Sequence, residues 1–238
     1  MLITRNLIWG LVWSGLVVVS IIYPLDGRTG VFRDDFEDGN FDGWRVEFHA
    51  LAGLWEIVDG AVESKRPSPA STYLITGKEN WRDYTISYDV MLKENFGRNT
   101  VGFIVRFQQP KFSRYIEIWS GDWAGFAAVS TQRFPGNFRT DKPFPLLKLN
   151  QWHQMKLEVK GNRFTFWINN QKVLLHKDEA VKRGEIGLSL AGYTARFDNI
   201  EISGPEVPDF TPPTWKAKSV EAQNKLAMTW AILKRNSQ

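Results

Sequence analysis

The stretch RYIEIWSG (114–121) sets Tyr115, Glu117 and Trp119 at alternate positions, interleaved with Ile116 and Ile118. Successive side chains of a β-strand point to opposite faces, so the isoleucines belong to a core while the acid and the two rings share the other face. Two further strand-like stretches offer polar groups in the same way: YTISYDVML (84–92) carries Asp89 and VGFIVRF (101–107) carries Arg106. If the three strands are neighbours, Asp89, Arg106 and Glu117 form a charged row beside Tyr115 and Trp119. Carboxylates and a guanidinium bind hydroxyls, and rings stack on C–H faces, so such a row suits a sugar. The competing reading is a salt-bridge ladder on a solvated sheet, which contributes little stability. The following loop, GDWAGFAAVSTQRFPGNFR (121–139), is long and aromatic, and Trp123 is its candidate contact.

Other chemistries find less support. Glycoside hydrolysis normally uses two carboxylates facing each other across the bond, and Asp89 with Glu117 is the pair on offer. Ser189 in GLSLAG (187–192) has Ala191 where a nucleophile elbow needs its second glycine, and no helix follows, so it reads as a strand residue. His49, His153 and His176 fall in no zinc-binding pattern, and His153, after Trp152 at a strand entry, reads as a structural hydrogen-bonding group. With no cysteine there is neither a disulfide framework nor a thiolate nucleophile or ligand. DGNFDG (38–43) matches half of a calcium loop, but position twelve is His49, and a tight turn explains its Asp, Asn and Gly content.

These residues must be positioned by strands. From Val31 to Ser203 short alternating runs are separated by Gly, Asn, Asp and Pro clusters, with no sustained helical period. MKLEVKGNRFTFWI (155–168) predicts a hairpin: Leu157 and Val159 face inward, Gly161 and Asn162 turn, and Phe164, Phe166 and Ile168 return on the same face. GEIGLSL (184–190) and ARFDNIEIS (195–203) predict two more strands. The expected class is all-β, a sandwich or barrel. A net charge of +4 in 238 residues, without a Lys/Arg block, gives no nucleic-acid footprint.

The ends differ in composition. After Arg5 an uncharged run extends from Leu7 to Leu25, long enough to cross a bilayer core. Residues 1–30 therefore read as a signal peptide or a retained membrane anchor, an apolar helix in either case, and both place the rest outside the cytoplasm. After Gly204, PEVPDFTPP (205–213) reads as an extended linker, and residues 218–235 as an amphipathic helix with Leu226, Trp230 and Leu233 on one face. Residues 214–238 are thus a candidate protein contact.

Several stretches taken together carry a family resemblance: DDFEDGNFDGW (34–44), LWEIVDGAV (54–62), WRDYTISYDVML (81–92), GFIVRF (102–107), WHQMKLEVKGNRFTFWINNQKV (152–173) and GEIGLSLAGYTARFDNIEI (184–202). Residues 31–204 resemble the concanavalin A-like lectin/glucanase jelly roll, in its laminin-G-like and 3-keto-disaccharide-hydrolase-like branches. The resemblance implies a two-sheet antiparallel sandwich whose concave face meets carbohydrate in many relatives. Glucanase members carry an E-x-D-x-x-E-like strand; here Trp119 stands where a second acid belongs, and Asp122 lies beyond it, out of register. That departure favours binding over hydrolysis. Many jelly rolls also hold an ion where first and last strands meet, which makes Asp35 and Asp198 the expected ligands of a structural Ca²⁺; no other cofactor is required. The expectation is an extracytoplasmic, lectin-like carbohydrate-binding domain. Its rivals are a hydrolase of glycosides or 3-keto-disaccharides, and a structural or protein-interaction module.

Overall fold

The computed structural model describes residues 29–47, 55–64, 71–108, 114–121, 128–131, 147–179, 181–213 and 215, with the side chains of 98, 99, 114, 115 and 128–131 outside that description. All regular structure among them is β. The strands are β1 (Gly30–Asp34), β2 (Arg45–Glu47), β3 (Trp55–Val58), β4 (Ala61–Ser64), β5 (Thr72–Thr76), β6 (Tyr84–Gln108), β7 (Arg114–Ser120), β8 (Ala128–Thr131), β9 (Trp152–Lys160), β10 (Arg163–Ile168), β11 (Gln171–Lys177) and β12 (Glu185–Gly204). The apolar run 7–25 and the helix expected at 218–235 lie outside the described residues. Among those described, no helix is long and apolar enough to cross a membrane.

Two strands are far longer than their sequence suggests, and they organise the fold. The stretches 84–92 and 101–107 are not separate neighbours but two halves of β6, which runs for 25 residues. Likewise 184–190 and 195–203 merge into the 20-residue β12. The two strands pair antiparallel along their whole length, with Glu185–Ala191 against residues 100–107 and Tyr193–Ser203 against residues 85–95. Between these blocks four residues of β6 (96–99) oppose Gly192 alone, whose φ of 68° lies in the left-handed region that glycine enters without steric cost. An excess of that size bends both strands, so each serves two layers.

Layer one has the strand order β8-β7-β6-β12-β5-β2, and layer two has β11-β10-β9-β6-β12 with β1 and β4 on the far edge of β12 and β3 beyond β4. Inward residues of both layers form one apolar core: Leu74, Phe103, Val105, Ile116, Ile118 and Leu188 from layer one meet Ile86, Tyr88, Leu157, Phe166, Phe197 and Ile202 from layer two. The layers touch through Phe103, whose ring centroid is 4.8 Å from that of Tyr88 and 5.7 Å from that of Phe166. The predicted hairpin is β9–β10: Lys160 pairs with Arg163, Gly161 has φ 57°, and Leu157, Val159, Phe164, Phe166 and Ile168 are buried.

The acid-rich segment after β1 is a set of turns. Asn40 N donates to Asp38 Oδ1 at 3.2 Å and Asp42 N to Asn40 Oδ1 at 2.7 Å, as the Asp/Asn/Gly content predicts. Buried Asp34 ties it to the core, accepting from Phe36 N at 2.9 Å and from Trp44 Nε1 at 2.8 Å. Burial pushes the Asp34 carboxyl up to about 6, despite those two hydrogen bonds, which lower it. The proline-rich stretch does not leave the domain at once: Phe210 N donates to Val31 O at 2.9 Å, Arg33 N to Phe210 O at 2.8 Å, and Phe210 stacks on Phe32.

Candidate functional site

The outward face of layer one is built by alternation against the core. Val46, Leu74, Ile186, Leu188, Val105, Phe103, Ile116 and Ile118 point inward, so their neighbours Arg45, Glu47, Tyr73, Ile75, Glu185, Gly187, Ser189, Gly102, Ile104, Glu117 and Trp119 take the other face. Strand register arranges them in two rows. One runs Glu117, Ile104, Gly187, Ile75, Arg45; the next runs Trp119, Gly102, Ser189, Tyr73, Glu47. Tyr73, Ile75, Ile104 and Phe107 form a second apolar cluster there.

The polar groups on this face are held by one another. The Ser189 hydroxyl donates to Glu117 Oε1. Arg45 Nε donates to Glu47 Oε1 at 2.7 Å, its Nη1 to Glu185 Oε1 at 2.6 Å, and its Nη2 to Glu185 Oε2. The guanidinium also lies 5.9 Å from the Phe107 ring centroid. Burial pulls the Arg45 pKa down, but the hydrogen bonds to Glu185 and Glu47 outweigh it and leave the group above its ordinary value. Glu117 and Trp119 are each 7% exposed, which rules out the solvated salt-bridge ladder. Three glutamates, Glu47, Glu117 and Glu185, are thus buried on the outward face of the sheet, and carboxylates leave water only where partners hold them.

The expected row of Asp89, Arg106 and Glu117 does not exist. Asp89 follows Tyr88 and precedes Val90, both in the core, so it emerges from the outer side of layer two, with the core between it and Glu117. The reason is the length of β6: residue 89 pairs with Gln154 of β9, whereas residues 101–105 pair with β7. The Asp89–Glu117 pair needed for two-carboxylate hydrolysis is therefore absent. Arg106 is a bulge residue with φ 54°, and the register shifts around it on both sides. The bulge turns Phe107 onto the face of Ile104 and sends the Arg106 side chain, 2% exposed, to the end of the sandwich. There it lies 4.9 Å from the Phe164 ring centroid and donates to Val181 O at 2.6 Å, Arg82 O at 3.4 Å and Gly161 O.

Of the other expected residues, Tyr115 belongs to β7 but its side chain is not among those described, and Trp123 lies outside the described residues. Asp35 accepts from Glu37 N at 3.4 Å and Asp198 from Asn199 N at 2.6 Å. Among the described residues no group of three or more His, Cys, Asp or Glu is placed to hold a metal. His153 is structural: its Nε2 accepts from Lys148 N at 3.0 Å, and its Nδ1 lies 3.0 Å from Asn169 Nδ2. Sequence reasoning missed Arg45, Glu47, Tyr73 and Glu185. The alternation Arg45-Val46-Glu47 and Tyr73-Leu74-Ile75 was there to find, but strands this far apart in sequence carry no sign of pairing.

Known proteins share this architecture. A carbohydrate binding module, CBM66, from Bacillus subtilis superposes with a TM-score of 0.54 at 16% identity, over 67% of this chain and 94% of that one. Domain 4 of an extracellular arabinanase from Geobacillus stearothermophilus, solved with arabinotriose, gives 0.52 at 13% identity, over 74% and 95%. At such identities the likeness concerns the fold alone. In sequence, a levanase of Bacillus subtilis is 20% identical over 161 residues, 68% of this chain but only 23% of the levanase. Residues 31–203, nearly the whole sandwich, match one family, and the chain belongs to it: the 3-keto-alpha-glucoside-1,2-lyase-like domains.

Proposed function

We propose that this chain is a carbohydrate-recognition module and that the outward face of layer one is its binding floor. The observation that carries the reading is the set of carboxylates fixed on that face: Glu117 held by Ser189, and Glu47 and Glu185 bridged by Arg45. Carboxylates fixed in advance accept sugar hydroxyls at little ordering cost, and the buried rings of Trp119 and Tyr73 share their face. The levanase, the carbohydrate binding module and the arabinanase domain support a saccharide as the partner. The module acts outside the cytoplasm, exported or anchored through residues 7–25, as Arg5 and the apolar run support. Calorimetry with levan oligosaccharides and arabinotriose tests the reading: Glu117→Gln should weaken binding at least about tenfold with the melting temperature held. Unchanged affinity would remove this face from the function.

The family favours a second, catalytic reading. Cleavage of a 3-keto-α-glucoside by elimination takes the proton from C2, beside the ketone; the C1–O bond then breaks as the C1–C2 double bond forms, and the leaving oxygen is protonated. Glu117 is the base this face offers, with Ser189 orienting it. Turnover of a 3-keto-disaccharide that disappears in Glu117→Gln while binding persists would establish this reading over the first.

A further inference from the structure

The end of the sandwich that Arg106 clamps is also the end at which the described chain begins. Thr29 lines a shallow groove there with Asp83, Lys160 and Gly204, and Gly30 pairs with Gly204. Three loops meet beside it. Arg106 donates to the carbonyls of Arg82, Gly161 and Val181, Gly161 N donates to Asp83 Oδ1 at 2.8 Å, and Gly184 N to Trp81 O at 3.0 Å. Segments 77–83, 160–163, 177–179, 181–184 and 205–207 together carry seven Lys and Arg, all exposed, against five Asp and Glu. None of the seven forms an ion pair among the described residues. Two of the acids, Asp83 and Asp178, act on the buried Arg106 guanidinium and favour its charged form. Register lines up three of the exposed cations, since Arg163 is the partner of both Lys160 on β9 and Lys177 on β11. Like charges directly opposite on adjacent strands are destabilising, and an anionic surface facing them removes that cost.

We infer that this end docks on an anionic lipid surface, with the strands standing away from the membrane. The inference rests on the reading of the apolar run 7–25 as a retained anchor. Only residues 26–28 separate Leu25 from Thr29, and four steps of chain span at most about 15 Å. Such an anchor holds the clamped end at the headgroups, while the start of β9, eight residues along the strand from Lys160, stands roughly 25 Å further out. A tether that short keeps the exposed cations where each adds to the attraction of anionic headgroups, within a Debye length of the surface. Docking in this sense leaves the outward faces of both layers clear of the lipid.

The full chain is assembled into nanodiscs of phosphatidylcholine, alone or mixed with phosphatidylglycerol. It has no cysteine, so a fluorophore on Asn80→Cys reports the clamped end and one on Gln171→Cys, at the far end of β11, reports the opposite end. In the anionic discs, spin-labelled headgroups should quench the first at least about threefold more than the second. That difference should shrink in neutral discs and in about 1 M salt, where the Debye length falls to about 3 Å. Lys160→Gln, Arg163→Gln and Lys177→Gln combined should abolish its dependence on lipid charge with the melting temperature held, because all three side chains are exposed. Mass spectrometry of the membrane-extracted chain separates the two readings: a chain lacking residues 1–25 removes the anchor and this inference with it. A full-length anchored chain overturns the inference alone if both ends are quenched equally, if lipid charge makes no difference, or if the triple variant behaves as the parent does.

Discussion

Ser189 on β12 donates its hydroxyl to Glu117 on β7 although the two strands are not adjacent: β6 runs between them. What stands between is Gly102, the register partner of both Ser189 and Trp119. A residue without a side chain there lets the Glu117 carboxylate reach across β6, so one glycine connects two of the floor's polar groups.

Gly102→Ala should therefore disturb both fold and function. An added Cβ would stand 2.7 Å from Trp119 Cα and closer still to the Ile118 carbonyl oxygen, against backbone that cannot yield cheaply. We expect a loss of about 2 kcal/mol or more in urea unfolding, with saccharide affinity falling further than in Ser189→Ala. An alanine variant of wild-type stability and affinity would show that the glycine is not needed to keep the passage open.

Arg106 is a structural clamp rather than a ligand. Arg106→Met leaves the carbonyls of Val181, Gly161 and Arg82 without their donor, and should cost about 3 kcal/mol. Arg106→Lys, which keeps the charge but cannot span three carbonyls, should fall between the two. Saccharide affinity measured well below the unfolding transition should change in neither variant; a specific loss of binding would return Arg106 to the site.

Asp34 makes stability depend on pH in an unusual direction for a carboxylate. Its folded pKa of about 6 lies above the ordinary 3.8, so between these values the folded protein keeps a proton that the unfolded chain has released. The contribution is complete below about pH 4, falls as pH rises through 6, and amounts to at most about 3 kcal/mol. Asp34→Asn, which still offers Trp44 Nε1 an acceptor, should flatten the dependence of the unfolding free energy on pH across that window. A wild-type profile that rises between pH 4 and 6, with the same slope in the variant, would contradict the assignment.

Alternation alone sufficed for much of the architecture. The β9–β10 hairpin, the turns around Asp38–Asp42, the burial of Ile116 and Ile118, and the all-β class follow from period-two patterning and turn chemistry, which act over a few residues. The same local rule put Glu117 and Trp119 on one outward face, and there they stand.

Which residues join them was decided in three dimensions. Side-chain contacts between positions more than a hundred residues apart, such as the ion pair of Arg45 with Glu185, leave no mark on either segment. Whether 84–92 and 101–107 are two strands or one bent strand depends on a bulge opposite Gly192, and that single difference sends Asp89 to the far side of the core. A bulge at Arg106 likewise reverses the alternation that a regular strand would keep. A period of two makes each one-residue irregularity exchange the faces, so the sequence set the local pattern while the long-range pairing of β6 and β12 selected the neighbours.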